Sequence, residues 1–339
     1  MYCIKKYKKK KRFGYIYWII IAILIMLIFI NAFSNVLKSD DIDESSNYIE
    51  KAVNDVVGIS SNNGQNASWG SGVIISKKGY ILTNEHLVHN SQECLVFLNS
   101  NKKIKADTVW FNSNIDLAII KVDMDFSSCA ILTDQTELKL GQGVFAIGNP
   151  INADFSRSVT KGVISGLNRN LEFVENDETF YLNNLIQTDA GINLGNSGGA
   201  LINEAGQVIG INTIKITSAE SMGFAVPTDV IIPIIKKLEN DGKFIEPTLG
   251  FSGYDKYSID KLNLGIKLDR GIYIGEVNVD SSMEKSGVRV GDIILGADGF
   301  AFNKVLEFRK YIYEKNIGDI VNLKIKRDIT EHNVTVVLE

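Results

Sequence analysis

Hydrophobic positions change rhythm several times along the chain, and each change marks an element boundary. Residues 13–37 carry no charge, and 16–30 are apolar apart from Tyr17. A run of that length predicts one membrane-spanning helix over residues 15–37. It is apolar on every face and polar sequence follows, which argues against a buried core helix. Residues 40–46, rich in Asp, Ser and Glu, read as a solvated tether within a linker at 38–50. From about 54 to 226 the rhythm is that of short β-rich runs, such as 72–76, 143–148 and 159–164, broken by Gly, Asn and Asp turns. Strands without long amphipathic helices predict a barrel or sandwich. Helical spacing appears in 229–239, where Val230, Ile231, Ile234, Ile235 and Leu238 share a face and close a domain at 51–240. Beyond Asn240-Asp241-Gly242 a second unit, 241–339, shows strands near 271–274, 321–325 and 334–338 and a helix near 308–314. The fold class is therefore mainly β, with an N-terminal transmembrane helix.

Composition narrows the partners. A length of 339 residues with 45% hydrophobic content suffices for about two globular domains. A net charge of −4 argues against a nucleic-acid partner. The basic residues that stand out are local: Lys5, Lys6, Lys8, Lys9, Lys10, Lys11 and Arg12 make 1–14 a basic tail. That tail predicts a cytoplasmic N-terminus, with the rest across the membrane. A cleaved signal peptide is the alternative, with Ala32-Phe33-Ser34 as its small-x-small site, and delivers the folded part to the same side. Cys3 belongs to the cytoplasmic tail. Cys94 and Cys129 lie in or beside apolar stretches and read as small buried thiols, although an oxidising exterior permits a bridge between them. Neither has the neighbours of a metal site, and no cofactor is expected.

The candidate chemistry starts at Gly195-Asn196-Ser197-Gly198-Gly199. Glycines on both sides let the backbone turn sharply, so that flanking N–H groups can converge on one oxygen; an ordinary Gly/Ser turn is the plain alternative. Runs 200–202 and 208–211 flank the turn Glu204-Ala205-Gly206-Gln207, placing Ser197 just before a hairpin. A serine nucleophile needs a base, and the chain has three histidines. His332 reads as a solvated residue of a polar turn, and His89 as exposed. His86 follows a predicted hairpin, 72–83, and sits at its rim, which makes it the candidate base. The base in turn needs a buried acceptor. Asp116 opens the apolar run 117–122, whereas Asp123 and Asp125 lie in an acidic turn beyond it. His, then Asp, then Ser is a chain order known for this triad.

These segments resemble the HtrA/Deg family of trypsin-like serine proteases. The matching blocks are GSGVIISKKGYILTNEHLV (70–88), DLAIIKV (116–122), SVTKGVISG (158–166), IQTDAGINLGNSGGALIN (186–203) and GINT followed by MGFAVP (210–227). The resemblance implies a chymotrypsin-like double six-stranded β-barrel with the triad in the cleft between the barrels. It makes His86 the general base, Asp116 its orienting partner and Ser197 the nucleophile, with the N–H groups of Gly195 and Ser197 as oxyanion hole. Ile192, Ile211, Asn212 and Thr213 would line the substrate site, with small aliphatic residues preferred at the cleaved position. The second unit resembles a PDZ domain, which accepts a peptide C-terminus as an added strand. There Thr248-Leu249-Gly250-Phe251 matches the carboxylate loop in position, a plain β-turn being the other reading. Further implications are a homotrimer, unfolded or damaged proteins as substrates on the extracytoplasmic face, and C-terminal peptides at the PDZ domain. A peptide-binding holdase or scaffold, and a signalling protease acting on one membrane-bound regulator, are the competing readings. Three departures stand out: Leu194 where the family has proline, Glu85 where asparagine is commoner, and a short 214–221 segment. A carboxylate at position 85 would act to raise the histidine pKa.

Overall fold

Alternating strands of the central region close on themselves twice. In the computed structural model, which describes residues 14–37, 41–62, 64, 67–98, 102–133, 138–149, 157–175, 178–193, 195–215 and 221–339, the chain divides into two units, Met1–Glu50 and Lys51–Glu339. The first barrel holds β1 (Val56–Asn62), β2 (Ala67–Ile74), β3 (Tyr80–Thr83), β4 (Glu93–Phe97), β5 (Lys103–Asn112) and β6 (Leu117–Val122), in the closed order β1-β2-β3-β6-β5-β4. The second holds β7 (Gly143–Gly148), β8 (Ser158–Glu175), β9 (Glu178–Thr188), β10 (Ala200–Asn203), β11 (Val208–Lys215) and β12 (Gly223–Pro227), ordered β10-β11-β12-β9-β8-β7. Closure removes free strand edges and turns alternate side chains inward. Inside the first barrel lie Val57, Ile59, Ile81, Val96, Ile120 and Val122, and inside the second Val144, Ile164, Ile186, Leu201 and Ile209. Cys94 is buried in the first core, and burial, then the Asp107 charge, pushes its thiol up to about 11. Cys94 and Cys129 are both free thiols; Cys3 lies outside the described residues.

The C-terminal sheet runs β13 (Phe251–Tyr254), β14 (Ile272–Val277), β15 (Ile293–Ala297), β17 (Ile320–Arg327), β18 (Thr330–Val337), with β16 (Phe300–Ala301) beside β15. Its core gathers Leu249, Ile272, Met283, Phe308, Leu323 and Val336.

The helices are α1 (Gly14–Leu37), α2 (Asp41–Asn54), α3 (Glu85–Val88), α4 (Ile232–Asp241), α5 (Lys256–Lys261), α6 (Ser282–Lys285) and α7 (Val305–Tyr313). Two helices and one strand residue differ from the sequence expectation. The tether at 40–46 is helical from Asp41 onward, because the polar segment is continuous with Tyr48, Ile49 and Ala52, and Ala52 is buried. Helix α4 starts at Ile232 rather than 229, since Pro233 suits a first turn whose N–H groups lack intrahelical partners. It ends at Gly242, whose φ of 70° is the left-handed cap conformation. His332 belongs to strand β18, opposite Ile325, not to a turn; its exposed Nε2 lies 2.8 Å from Thr330 Oγ1.

Within the larger unit the two domains meet around Tyr313. Its ring packs edge-on to Phe244 at 5.4 Å, its hydroxyl donates to Glu246 Oε1 at 2.6 Å, and Asn112 Nδ2 donates to it at 3.3 Å. In the smaller unit, α1 is helical over 24 residues. Its described side chains, residues 17–30, are all exposed and cover about 21 Å of helix. Among the described residues no helix is long and apolar enough to cross a membrane.

Candidate active site

Strand β3 ends at Thr83, and Asn84 then turns the chain into α3. The Asn84 side chain donates from Nδ2 to the Asp116 carbonyl at 2.9 Å, tying the start of α3 to the turn before β6. On that one-turn helix, the His86 backbone N–H donates to Asp116 Oδ1 at 3.1 Å, and His86 Nδ1 lies 2.9 and 3.0 Å from Asp116 Oδ1 and Oδ2. An ionised carboxylate only accepts, so Nδ1 carries the proton and Nε2 keeps a lone pair. Asp116 has φ 52°, an uncommon conformation for a non-glycine residue. It is held there by a further bond: Thr213 Oγ1 donates to Asp116 Oδ2 at 2.6 Å. The imidazole side chain is 44% exposed and the carboxylate side chain 10%, so the ring opens to solvent while its partner faces the protein.

Ser197 arrives from the other barrel, between Gly195 (φ 94°) and Gly198 (φ 82°). A Cβ on Gly198 would come within 2.0 Å of the Ser71 carbonyl oxygen, so only glycine fits there. Strand β2 grips the turn from below, with Ser71 N–H donating to the Ser197 carbonyl at 2.8 Å and Ser71 Oγ to the Gly195 carbonyl at 2.6 Å. Strand β11 grips it from the side, through Gly198 N–H to Asn212 O at 2.8 Å and Asn212 N–H to Gly199 O at 2.9 Å. The Ser197 hydroxyl donates to the Thr213 carbonyl at 2.8 Å. Thr213 therefore touches both Ser197 and Asp116, one through its backbone and one through its hydroxyl. Asn196 N–H donates to Asn193 O at 2.9 Å, closing a turn around Gly195; among the described residues the Gly195 and Ser197 N–H groups have no acceptor.

The residues expected to line a substrate site divide into two pairs. Ile192 and Ile211 are buried in and beside the second core, Ile192 against Gly223. The Asn212 amide donates to the carbonyls of Ile147 and Ala200 at 3.3 and 3.1 Å, and the Thr213 hydroxyl is on Asp116, so both polar side chains brace the site. Residues 216–220 and Leu194 lie outside the described residues. Glu85 is buried and its carboxylate pairs with His89 Nδ1, one turn on, while Asn90 Nδ2 lies 2.7 Å from His89 Nε2. They border a hollow of about 180 Å³ also lined by Thr108 and Phe111. Asp123 and Asp125 are exposed beyond β6. The roles of Ser71, Asn84 and the Thr213 hydroxyl were not anticipated. A Ser between two glycines, Gly70-Ser71-Gly72, is the one local signal that could have drawn attention to the first.

In the C-terminal domain, Thr248 N–H donates to Glu339 O at 3.0 Å and Gly250 N–H to Thr248 Oγ1 at 3.1 Å, so two of the four candidate loop N–H groups are already engaged. Leu249 is buried in the core, Gly250 has φ 75°, and Phe251 packs on Phe308 of α7 with ring centres 5.9 Å apart. Among the described residues no group of three His, Cys, Asp or Glu could hold a metal ion.

Two barrels with a histidine–aspartate pair on one and a glycine-flanked serine on the other, followed by a sheet domain, define a trypsin-like serine peptidase with an appended PDZ domain. Family models agree: residues 70–211 match the trypsin-like peptidase domain and 247–338 the PDZ domain. The serine protease Do-like HtrA of Lactobacillus helveticus is 35% identical over 90% of this chain and 74% of its own length. A probable periplasmic serine endoprotease, DegP-like, of Halomonas elongata is 38% identical over 79% of this chain and 56% of that one. Among solved structures, the HtrA-type protease AlgW with a tripeptide superposes with a TM-score of 0.65 at 29% identity, covering 87% of this chain and 96% of that one. The chain belongs to the HtrA family of serine proteases, and it is a serine endopeptidase.

Proposed function

We propose that the protein is a membrane-anchored endopeptidase that hydrolyses unfolded or damaged proteins on the extracytoplasmic face through a His86–Asp116–Ser197 triad. The contact between His86 Nδ1 and Asp116, at 2.9 Å, carries the reading, because it fixes the tautomer in which Nε2 carries the lone pair that can take a proton. For attack, the Ser197 hydroxyl turns from the Thr213 carbonyl toward His86 Nε2 and transfers its proton there as Oγ bonds to the scissile carbonyl carbon. The N–H groups of Gly195 and Ser197 receive the negative charge that develops on the carbonyl oxygen. His86 then protonates the leaving amine, Asp116 stabilising the imidazolium meanwhile. Water, deprotonated by His86, hydrolyses the acyl-enzyme and regenerates Ser197. No metal or cofactor enters these steps. Ile192 and Ile211 would shape an apolar pocket for a small aliphatic residue, while Asn212 and Thr213 edge it with backbone.

The anchor at residues 15–37 rests on the uncharged sequence, the 24-residue helix α1 and the basic residues ahead of it. An extracytoplasmic protease is consistent with the periplasmic relative named above. Thr248, Leu249, Gly250 and Phe251 would receive a peptide C-terminus, with β13 as the strand it extends. A homotrimer is the family-based expectation for assembly. Casein hydrolysis by the full chain and by its Ser197→Ala variant tests the function. Turnover by the first and none by a folded second is expected, and undiminished turnover by the variant would rule the triad out.

A further inference from the structure

Trp69 is 49% exposed although it sits in β2, two residues from Ser71, the residue that grips the Ser197 turn. In a strand, residues two apart share a face and lie about 7 Å apart, so Trp69 belongs to the face that Ser71 turns toward the second barrel. Phe97 of β4 lies on that face as well, its ring centre 5.2 Å from that of Trp69. The two rings cover Gly58 and Ser60 of β1, which stand opposite Phe97 and Trp69 in register. A Cβ on Gly58 would meet Asn149 of the second barrel at 2.3 Å and Phe97 Cβ at 3.4 Å. Asn149 N–H in turn donates to Ser71 Oγ at 2.7 Å. The ring pair is thus continuous with the rim of the interbarrel cleft, one short step from the nucleophile.

Charge distinguishes this platform from a neutral apolar spot. Lys103 Nζ stands 5.1 Å from the Phe97 ring centre, and register places Lys103 opposite Phe97 and Lys105 opposite Leu95 on the same outer face. Glu93 and Asp107 are exposed at the far end of that face, away from the rings.

We infer that Trp69, Phe97 and Lys103 form a binding platform for the part of a protein substrate that follows the cleaved bond, selecting an aromatic or long apolar residue followed by an acidic one. The inference rests on the endopeptidase reading above. Ser197 lies between β11, which carries Thr213, and β2, which carries Ser71, with Ile192 against Gly223 of the neighbouring β12. A substrate whose acyl half lies along β11 must leave across β2, over Trp69. Stacking on an aromatic pair and a carboxylate held by Lys103 would then retain the leaving half.

Three internally quenched peptides with one acyl half and an amidated C-terminus, which the PDZ domain cannot capture as a carboxylate, provide the test on the full chain. One continues past the scissile bond with Phe-Glu, one with Phe-Lys and one with Gly-Ser. The wild type should show a kcat/KM about fivefold higher on the Phe-Glu peptide. That preference should vanish in Trp69→Ala, persist in Trp69→Phe, and in Lys103→Glu shift from Phe-Glu toward Phe-Lys. No preference in the wild type, or the same preference in Trp69→Ala, overturns the inference. A peptidyl ester ending at the scissile bond reports on the triad separately. If the wild type fails to cleave that ester, the peptidase reading falls, and the platform is then judged by fluorescence anisotropy of the labelled Phe-Glu peptide. Binding about fivefold weaker in Trp69→Ala supports it, and equal binding rejects it.

Discussion

Thr213 and Asp116 lie 97 residues apart, yet the threonine hydroxyl donates to the aspartate carboxylate at 2.6 Å in a buried setting. The same threonine accepts the Ser197 hydroxyl on its carbonyl at 2.8 Å. Strand β11 therefore registers the two barrels against each other at the point where Asp116 and Ser197 meet through one residue.

Thr213→Val keeps the shape of the side chain and removes the donor. It leaves a buried carboxylate oxygen one partner short, a deficit of about 1–3 kcal/mol. We expect kcat to fall by about one order of magnitude with KM little changed, while Thr213→Ser restores most of it. Steady-state kinetics on one peptide substrate decide the point; a loss confined to KM would assign the side chain to substrate binding instead.

Gly198→Ala should unfold or strongly destabilise the protease domain. The added Cβ meets the Ser71 carbonyl oxygen at 2.0 Å, and φ of 82° disfavours any L side chain. Gly141 provides the contrast, since it has φ 79° but nothing within 4 Å of an added Cβ. Gly141→Ala should cost about 1 kcal/mol, Gly198→Ala several times that, as read from thermal melting of both variants.

Acid should loosen the C-terminal domain through Asp292. Burial raises its carboxyl, but the bonds from Arg327 Nε and Nη2, each 2.7 Å, and from the Arg289 N–H at 2.9 Å outweigh burial and hold it below the ordinary value of 3.8. A carboxylate with a depressed folded-state pKa contributes stability above its unfolded pKa and loses it as pH falls through the folded one. The contribution is therefore complete above about pH 4 and declines below it. Arg327→Gln leaves the buried carboxylate without its main partner, so we expect a loss of about 3 kcal/mol at pH 7 and an acid-unfolding midpoint displaced to higher pH. Unfolding monitored across pH 2–7 checks the direction.

Much of this architecture was legible in sequence, for a physical reason. The triad positions are read from short motifs because each constraint is local: glycines around Ser197, a hairpin before His86, an apolar strand after Asp116. The β-rich character of the central region follows from short apolar runs between turn residues, whereas its closure into two six-stranded barrels and the PDZ sheet were implied by the family resemblance. What sequence withheld is set by contacts between distant segments. Nothing near Thr213 announces that its hydroxyl seeks Asp116. Nor does anything near Glu85 announce that it pairs with His89 one turn on. The first residues of the helix at Asp41–Asn54 look like a tether in sequence because they are polar, and its fixed point, the buried Ala52, lies further on. Lys304 is polar and Val305 β-branched, so the start of α7, where Glu307 accepts the Lys304 N–H at 3.3 Å, leaves no helical pattern in the sequence.

The account depends on His86 activating Ser197. Reaction of the full chain with a fluorophosphonate probe, followed by peptide mass mapping, tests that dependence most directly. The prediction is a single adduct on Ser197 in the wild type, greatly reduced in a folded His86→Ala variant. An adduct on another residue, or labelling of Ser197 that is undiminished without His86, would contradict it.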